Sequence, residues 1–282
     1  MSKIIDGKEI SAFVKSRVAN EVKALNEQGI DVCLAVIIVG NDSASQVYVA
    51  NKEKACEALG IRSLRFSLPE ETTTNELLEL IDKLNNDETV DGILCQLPLP
   101  KHIDEKLVIS SINYNKDVDA FHPINVGKIM IGDYSFLPCT PAGVIEMLKY
   151  ENIDMTGKEC VVLGRSNIVG KPMAMLLTLA DGTVTICHSR TENLAEITRE
   201  ADILVSAIGK TRFVTADMVK EGAAVIDVAM NRDENGKLCG DVDFATVEPK
   251  CSYITPVPGG VGPMTRAVLM RNILTAAQNH QA

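Results

Sequence analysis

Tyr48 and Lys52 lie four positions apart in a stretch with helical periodicity, so their side chains share one face. A lysine held partly out of water exchanges a proton near neutrality. The same spacing suits a tyrosine at a core edge beside an exposed lysine, and the residues alone leave both readings open. Gln96, in Gln96-Leu97-Pro98-Leu99-Pro100, falls at the end of an apolar run, where α/β sheets present their ligands. Asp117 and Asp119 alternate along Lys116-Asp117-Val118-Asp119-Ala120. They form either a pair of acceptors for an amidine-like edge or a solvated acidic loop.

A second set of residues could hold a nucleotide. The apolar run Cys160-Val161-Val162-Leu163 breaks into Gly164-Arg165-Ser166-Asn167-Ile168-Val169-Gly170-Lys171-Pro172, the form of a buried strand turning into a helix whose N-terminus meets a phosphate. Against the dinucleotide pattern G-x-G-x-x-G, Gly164 fits, Ser166 and Val169 replace the second and third glycines, and Gly170 comes one place late. The turn is therefore either a dinucleotide site or an ordinary glycine-containing corner. The next strand ends in His188-Ser189-Arg190, with no acid at its tip. An NAD-selective domain places Asp or Glu there for the ribose 2′-hydroxyl, whereas Ser189, Arg190 and Arg165 suit a 2′-phosphate, so the expected cofactor is NADP. Three glycines and two prolines crowd Pro258-Gly259-Gly260-Val261-Gly262-Pro263, which reads as backbone close to a ligand or as an interdomain turn.

Periodicity supplies the elements that must position these residues. Apolar positions recur at helical spacing from Lys8 to Leu25, Val32 to Val39 is a buried strand, and a helix then runs to about Leu59 with Ala44, Val47, Ala55 and Leu59 in its core stripe. Leu64, Phe66 and Leu68 alternate as a strand, Thr73 and Glu76 make a capping box, and Val90 to Leu97 is the next strand. Between Pro98 and Pro141 the pattern loosens around one short helix near Glu105 to Ser111. Thr140-Pro141 reads as an N-cap with proline at the first helical position. A second alternation follows, with strands Glu159–Leu163, Thr183–Cys187, Ile203–Ala207, Ala224–Asp227 and Ser252–Thr255, then a closing helix from about Met264 to Asn279. Strand and helix in turn mean an α/β fold with mostly parallel sheets.

At 282 residues the chain exceeds the size of a comfortable single core, so two domains are expected. The formal net charge of -10 and the lack of a dense basic run argue against a nucleic-acid surface. No apolar run is long enough to span a bilayer, and Met1-Ser2-Lys3-Ile4-Ile5-Asp6 shows no signal-peptide core, which makes the cytoplasm the default location. The eight cysteines include no C-x-x-C pair and read as reduced core residues. The four histidines share no metal-ligand spacing, so no metal is expected.

Taken together, Tyr48 with Lys52, the Gln96 motif, Lys116-Asp117-Val118-Asp119, the Gly164 to Pro172 turn and Pro258-Gly259-Gly260-Val261-Gly262-Pro263-Met264-Thr265 resemble the bifunctional methylenetetrahydrofolate dehydrogenase/cyclohydrolase family, across essentially the whole chain. The resemblance implies a substrate domain, residues 1–139 completed by the helix 264–282, facing a Rossmann-type NADP domain, 140–263, across a cleft, usually in a homodimer. It implies NADP-dependent oxidation of 5,10-methylenetetrahydrofolate to the methenyl cation, then hydrolysis to 10-formyltetrahydrofolate. Lys52 would be the acid/base residue, Gln96 its support, Tyr48 packed on the folate and Asp119 on the pterin edge. Pro258, Gly259 and Gly260 would touch substrate, while Gly164, Arg165, Ser166, Val169, Gly170, Ser189 and Arg190 would hold the cofactor. The alternatives are another two-domain NADP-dependent dehydrogenase with a different small substrate, which folate-dependent cyclohydrolase activity separates, and a nucleotide-sensing module without turnover, in which Lys52 is dispensable. Ala120 stands where the family usually has glycine; a left-handed backbone there would cost an alanine about 1–2 kcal/mol.

Overall fold

The computed structural model describes residues 2–281. The chain divides into two compact units, Met1–Ala12 with Pro138–Val268 and Phe13–Leu137 with Leu269–Ala282. It opens with strand β1 (Lys3–Ile4) and helix α1 (Gly7–Glu27), the latter running through the first boundary.

The unit of residues 13–137 continues with β2 (Cys33–Val39), α2 (Ser43–Ala58), β3 (Arg62–Leu68), α3 (Thr74–Asn85), β4 (Gly92–Cys95), α4 (Glu105–Ser111) and α5 (Pro123–Ile131). Its sheet has the order β3-β2-β4 and is parallel throughout. The continuous apolar run of β2 puts it at the centre, every residue buried, while β3 alternates along an edge. The Thr73–Glu76 capping box is present in both directions at the start of α3. In contrast, α5 appears where the sequence shows only a loose region. Its cap is His122, whose Nδ1 accepts from the Ile124 amide at 3.0 Å, and histidine lies outside the usual capping set. Pro123 at the first position and Gly132, at φ 76°, mark its two ends.

The other unit holds α6 (Cys139–Tyr150), β5 (Glu159–Leu163), α7 (Gly170–Leu179), β6 (Thr183–Cys187), α8 (Leu194–Arg199), β7 (Ile203–Ser206), β8 (Ala224–Asp227), the hairpin β9 (Asn231–Arg232) and β10 (Leu238–Cys239), α9 (Phe244–Val247) and β11 (Tyr253–Ile254). The closing helix α10 (Val261–His280) crosses the last of the three boundaries, after Val268. A six-stranded parallel sheet of order β1-β11-β8-β7-β5-β6 forms its centre, over a core that includes Val161, Leu163, Leu204 and Val225. The strand order reverses at β5, which makes the carboxyl end of that strand the natural ligand position.

Two details differ from the sequence reading. Residues 1–12 join the six-stranded unit, because β1 pairs with β11; a strand of two residues has no periodicity to announce it. Helix α6 begins at Cys139 with Pro138 as its cap, so Thr140 lies inside the first turn and its hydroxyl bonds that of Thr265 at 2.9 Å.

Candidate functional site

In the three-stranded unit, α2 starts from Asp42, whose carboxylate accepts from the Ser45 amide at 2.8 Å. The helix buries Ser45, Val49 and Cys56 and turns Tyr48 outward, 41% exposed. Val47 is 61% exposed, so it is not part of the core stripe; Val49, two places on, carries that packing. Lys52 is half-buried, and its Nζ donates to Gln96 Oε1 at 3.1 Å. Gln96 sits one residue beyond β4, its amide joined to the sheet through the Ile37 carbonyl at 2.8 Å. Its Nε2 donates to the Leu97 carbonyl at 2.6 Å, which orients the side chain so that the oxygen faces Lys52. A helix and a strand end thus fix the position of one cation.

The two aspartates, readable from sequence as an acceptor pair or as a solvated loop, do different things. Asp117 is buried and its Oδ2 accepts from the His122 amide at 2.8 Å and Asn125 Nδ2 at 2.9 Å, which ties the segment to the start of α5. Burial pushes its carboxyl up to about 6, with those two bonds pulling the other way. Asp119 is half-buried, and so the better placed of the two to meet a ligand. Ala120 has φ 57° and no exposure, so the left-handed backbone that suits glycine is carried by an alanine.

The turn after β5 explains why Gly170 comes late. Gly164 has φ 120°, and a Cβ there would lie 2.4 Å from the Ala207 carbonyl oxygen. A Cβ on Gly170 would lie 2.3 Å from the Gly164 oxygen, so this glycine is what lets α7 pack against the strand end. Ser166 stays within the turn, its Oγ accepting from the Val169 and Gly170 amides at 3.2 and 3.3 Å. Val169 is the residue at which α7 is capped.

Beside this turn lies a pocket of about 260 Å³, lined by the ends of three strands. Of the expected cofactor residues it gathers Gly164, Arg165 and Ser189; Ser166, Val169, Gly170 and Arg190 are not in its lining. Leu194, Ile208 and Phe213 add apolar walls and Lys210 a cation, none of them foreseen. Ile208 and Lys210 come within four residues of the end of β7, and only the strand order sets β7 beside β5 on the far side of the reversal. No carboxylate is in the lining, which carries Arg165, Lys210 and His188. This set fits a phosphorylated nucleotide, and the volume, below the roughly 300–1,000 Å³ of a pocket for a whole drug-sized ligand, fits one end of it.

In the loop after β11, Gly259 has φ 108°, and a Cβ on Gly7 would lie 1.7 Å from the Gly260 oxygen. The close backbone approach read from Pro258, Gly259 and Gly260 is thus made in part to the start of α1.

A parallel sheet reversing at β5, with a cationic pocket at that point, defines a Rossmann-type nucleotide-binding unit, here joined to a separate α/β unit that bears a clamped lysine. The family described as tetrahydrofolate dehydrogenase/cyclohydrolase matches the chain twice, by its catalytic domain over residues 5–119 and by its NAD(P)-binding domain over residues 138–281. The chain is 61% identical over 281 residues to the bifunctional protein FolD of Lachnoclostridium phytofermentans, covering 100% of both. Its fold is similar to the crystal structure of the bifunctional FolD dehydrogenase/cyclohydrolase from Campylobacter jejuni, with a TM-score of 0.98, 52% identity and 99% of each chain covered. The Trypanosoma brucei dehydrogenase-cyclohydrolase complexed with NADP cofactor and inhibitor gives a TM-score of 0.94 at 39% identity, over 99% of this chain and 98% of that one. The chain belongs to the tetrahydrofolate dehydrogenase/cyclohydrolase family.

Proposed function

We propose that Lys52, held by Gln96, is the proton carrier of a bifunctional folate enzyme. The chain oxidises 5,10-methylenetetrahydrofolate to 5,10-methenyltetrahydrofolate with NADP and hydrolyses the product to 10-formyltetrahydrofolate. The observation that carries the residue assignment is the 3.1 Å bond from Lys52 Nζ to Gln96 Oε1. An absorbance assay with methylenetetrahydrofolate and NADP, following NADPH and methenyl product, tests the activities; production of neither would refute them.

NADP supplies the hydride acceptor, so oxidation asks the protein for alignment rather than for an acid or base. Hydrolysis does need proton transfer. As its oxygen bonds the methenyl carbon, attacking water gives up a proton that is released to solvent; the ring then opens as the hydroxyl so formed loses its proton to become the formyl C=O and the ring nitrogen gains one. Lys52 serves both transfers of the ring opening, Gln96 takes up one of its N–H bonds and leaves the others for water and substrate, and Tyr48 offers its exposed ring to the folate. Asp119 accepts from the pterin edge. Asp119→Asn should raise the folate dissociation constant by about tenfold, since an amide cannot offer two anionic acceptors to a donor pair. Calorimetry showing unchanged affinity would take Asp119 out of the site.

For the cofactor, Arg165, Ser189 and Lys210 face the 2′-phosphate end, with Leu194, Ile208 and Phe213 as apolar walls; Arg190 is exposed beside them. Without a carboxylate to bond a ribose 2′-hydroxyl, NADP should be strongly preferred over NAD. Arg165→Ala should weaken NADP about tenfold or more and NAD much less. Steady-state kinetics with both cofactors decide it, and equal use of NAD by the unaltered enzyme would overturn the assignment.

The same reading places the enzyme in the cytoplasm as a homodimer. All eight cysteines are buried and free, as in a reducing compartment, and no helix among the described residues is long and apolar enough to cross a membrane.

A further inference from the structure

Asp241 follows β10 with no exposure at all, yet five donors converge on its carboxylate. Oδ2 accepts from Ser206 Oγ at 2.9 Å and from the Ile208 and Gly209 amides at 2.8 and 3.3 Å. Oδ1 accepts from the Lys210 amide at 2.7 Å and from Asn231 Nδ2 at 3.0 Å. All five donors are neutral. Burying a carboxylate is expensive unless its oxygens are fully bonded, and a corner of three residues can be closed by cheaper neutral groups. What a carboxylate adds is convergence: it draws three successive amides onto one point and so fixes the direction of the side chains between them.

Those side chains are the pocket wall. Ile208 and Lys210 line it, as does Ala207 before them. Asp241 is itself held from the adjacent strand, because Asp227, the last residue of β8, accepts from the Asp241 and Val242 amides at 3.0 and 2.8 Å. Gly240 permits that approach, since a Cβ there would lie 1.8 Å from Asp227 Oδ2. Two buried carboxylates in sequence thus carry the position of β8 to the loop beyond β7.

We propose that Asp241 is a positioning residue for NADP: it sets the wall formed by Ala207, Ile208 and Lys210, and thereby cofactor affinity, without lining the pocket itself. The assignment rests on the reading of that pocket as the NADP site. Asp241→Asn keeps the volume but leaves only one oxygen to accept, so either the 208–209 amides or the Lys210 amide and Asn231 must face an NH₂ group.

The test compares the unaltered enzyme, Asp241→Asn and the milder Ser206→Ala, which removes one donor. NADP affinity is read by calorimetry, exchange of the amides at 208–210 by mass spectrometry, and methenyltetrahydrofolate hydrolysis, in which NADP takes no part, serves as the folding control. Asp241→Asn is expected to raise the NADP dissociation constant and KM by at least about tenfold and Ser206→Ala by about threefold, with faster exchange at 208–210, little change in dehydrogenase kcat, and hydrolysis retained. Unchanged NADP affinity in either variant overturns the proposal. Hydrolysis falling in step with NADP affinity in Ser206→Ala, whatever Asp241→Asn does, overturns it too, because that marks a role in folding alone. Failure of the unaltered enzyme to bind NADP would instead remove the cofactor reading beneath it.

Discussion

Lys52→Met is expected to lower methenyltetrahydrofolate hydrolysis by at least about a hundredfold while leaving NADP affinity within about twofold, a loss in the range that general acid–base groups contribute. Methionine keeps much of the apolar stem of lysine, so the face of α2 near Tyr48 stays packed, but it cannot donate to Gln96 or exchange a proton. NADP affinity is the discriminating control, because the cofactor pocket is lined wholly by residues 163–213 of the six-stranded unit. Decay of the methenyl absorbance gives the rate directly. Hydrolysis at a near-normal rate would show that some other group manages the protons.

Gly170→Ala should be as damaging to the cofactor as Lys52→Met is to hydrolysis. Its new Cβ would meet the Gly164 oxygen at 2.3 Å, the Gly164 carbonyl carbon at 2.5 Å and the Arg165 nitrogen at 2.7 Å. All three are backbone atoms, so no rotamer change relieves the clash, and the strand end and α7 must separate. Strain of this kind costs on the order of 3 kcal/mol or more, and NADP binding should fall by over about a hundredfold. Gly127→Ala, in α5, is the matched control: nothing lies within 4 Å of its added Cβ, and the helix should gain up to about 1 kcal/mol. Thermal melts and NADP titration of both variants decide the matter, and equal behaviour of the two would mean that the turn can give way.

Much of this was legible in advance where burial and period coincide. The strands Glu159–Leu163 and Ala224–Asp227 follow their apolar runs, because a strand covered on both faces has few polar positions to blur it, while Thr183–Cys187, at the sheet edge, shows instead as an alternation of exposed and half-buried positions. Helix α5 was hidden because its cap is a histidine and a glycine stands within it. The late glycine of the nucleotide turn was visible in the sequence, but the reason for it was not, since the contact between Gly170 and the Gly164 oxygen exists only once the chain has turned. The pocket wall was hidden for a related reason. Leu194, Ile208 and Phe213 meet Gly164 only through the order of strands in the sheet, which no local pattern encodes. Lys52 and Gln96 are 44 residues apart and were joined only by family resemblance until the bond between them was seen.

Of the three boundaries between the units, two fall inside α1 and α10 and only the one after Leu137 falls in a connection, and this bears on how such a protein can be inherited. A piece ending at Leu137 would lack Asn272, whose Nδ2 donates to the Val118 and Leu137 carbonyls, both at 2.8 Å, beside Asp119. A piece beginning at Pro138 would lack β1, and β11 would become an open sheet edge. Neither half is therefore a cassette that recombination can move by one crossover: exchanging a unit means replacing interleaved stretches of gene together, in register with two helices. The path of the backbone itself thus ties the two units into one reading frame, and a gene cut between Leu137 and Pro138 leaves neither of them whole.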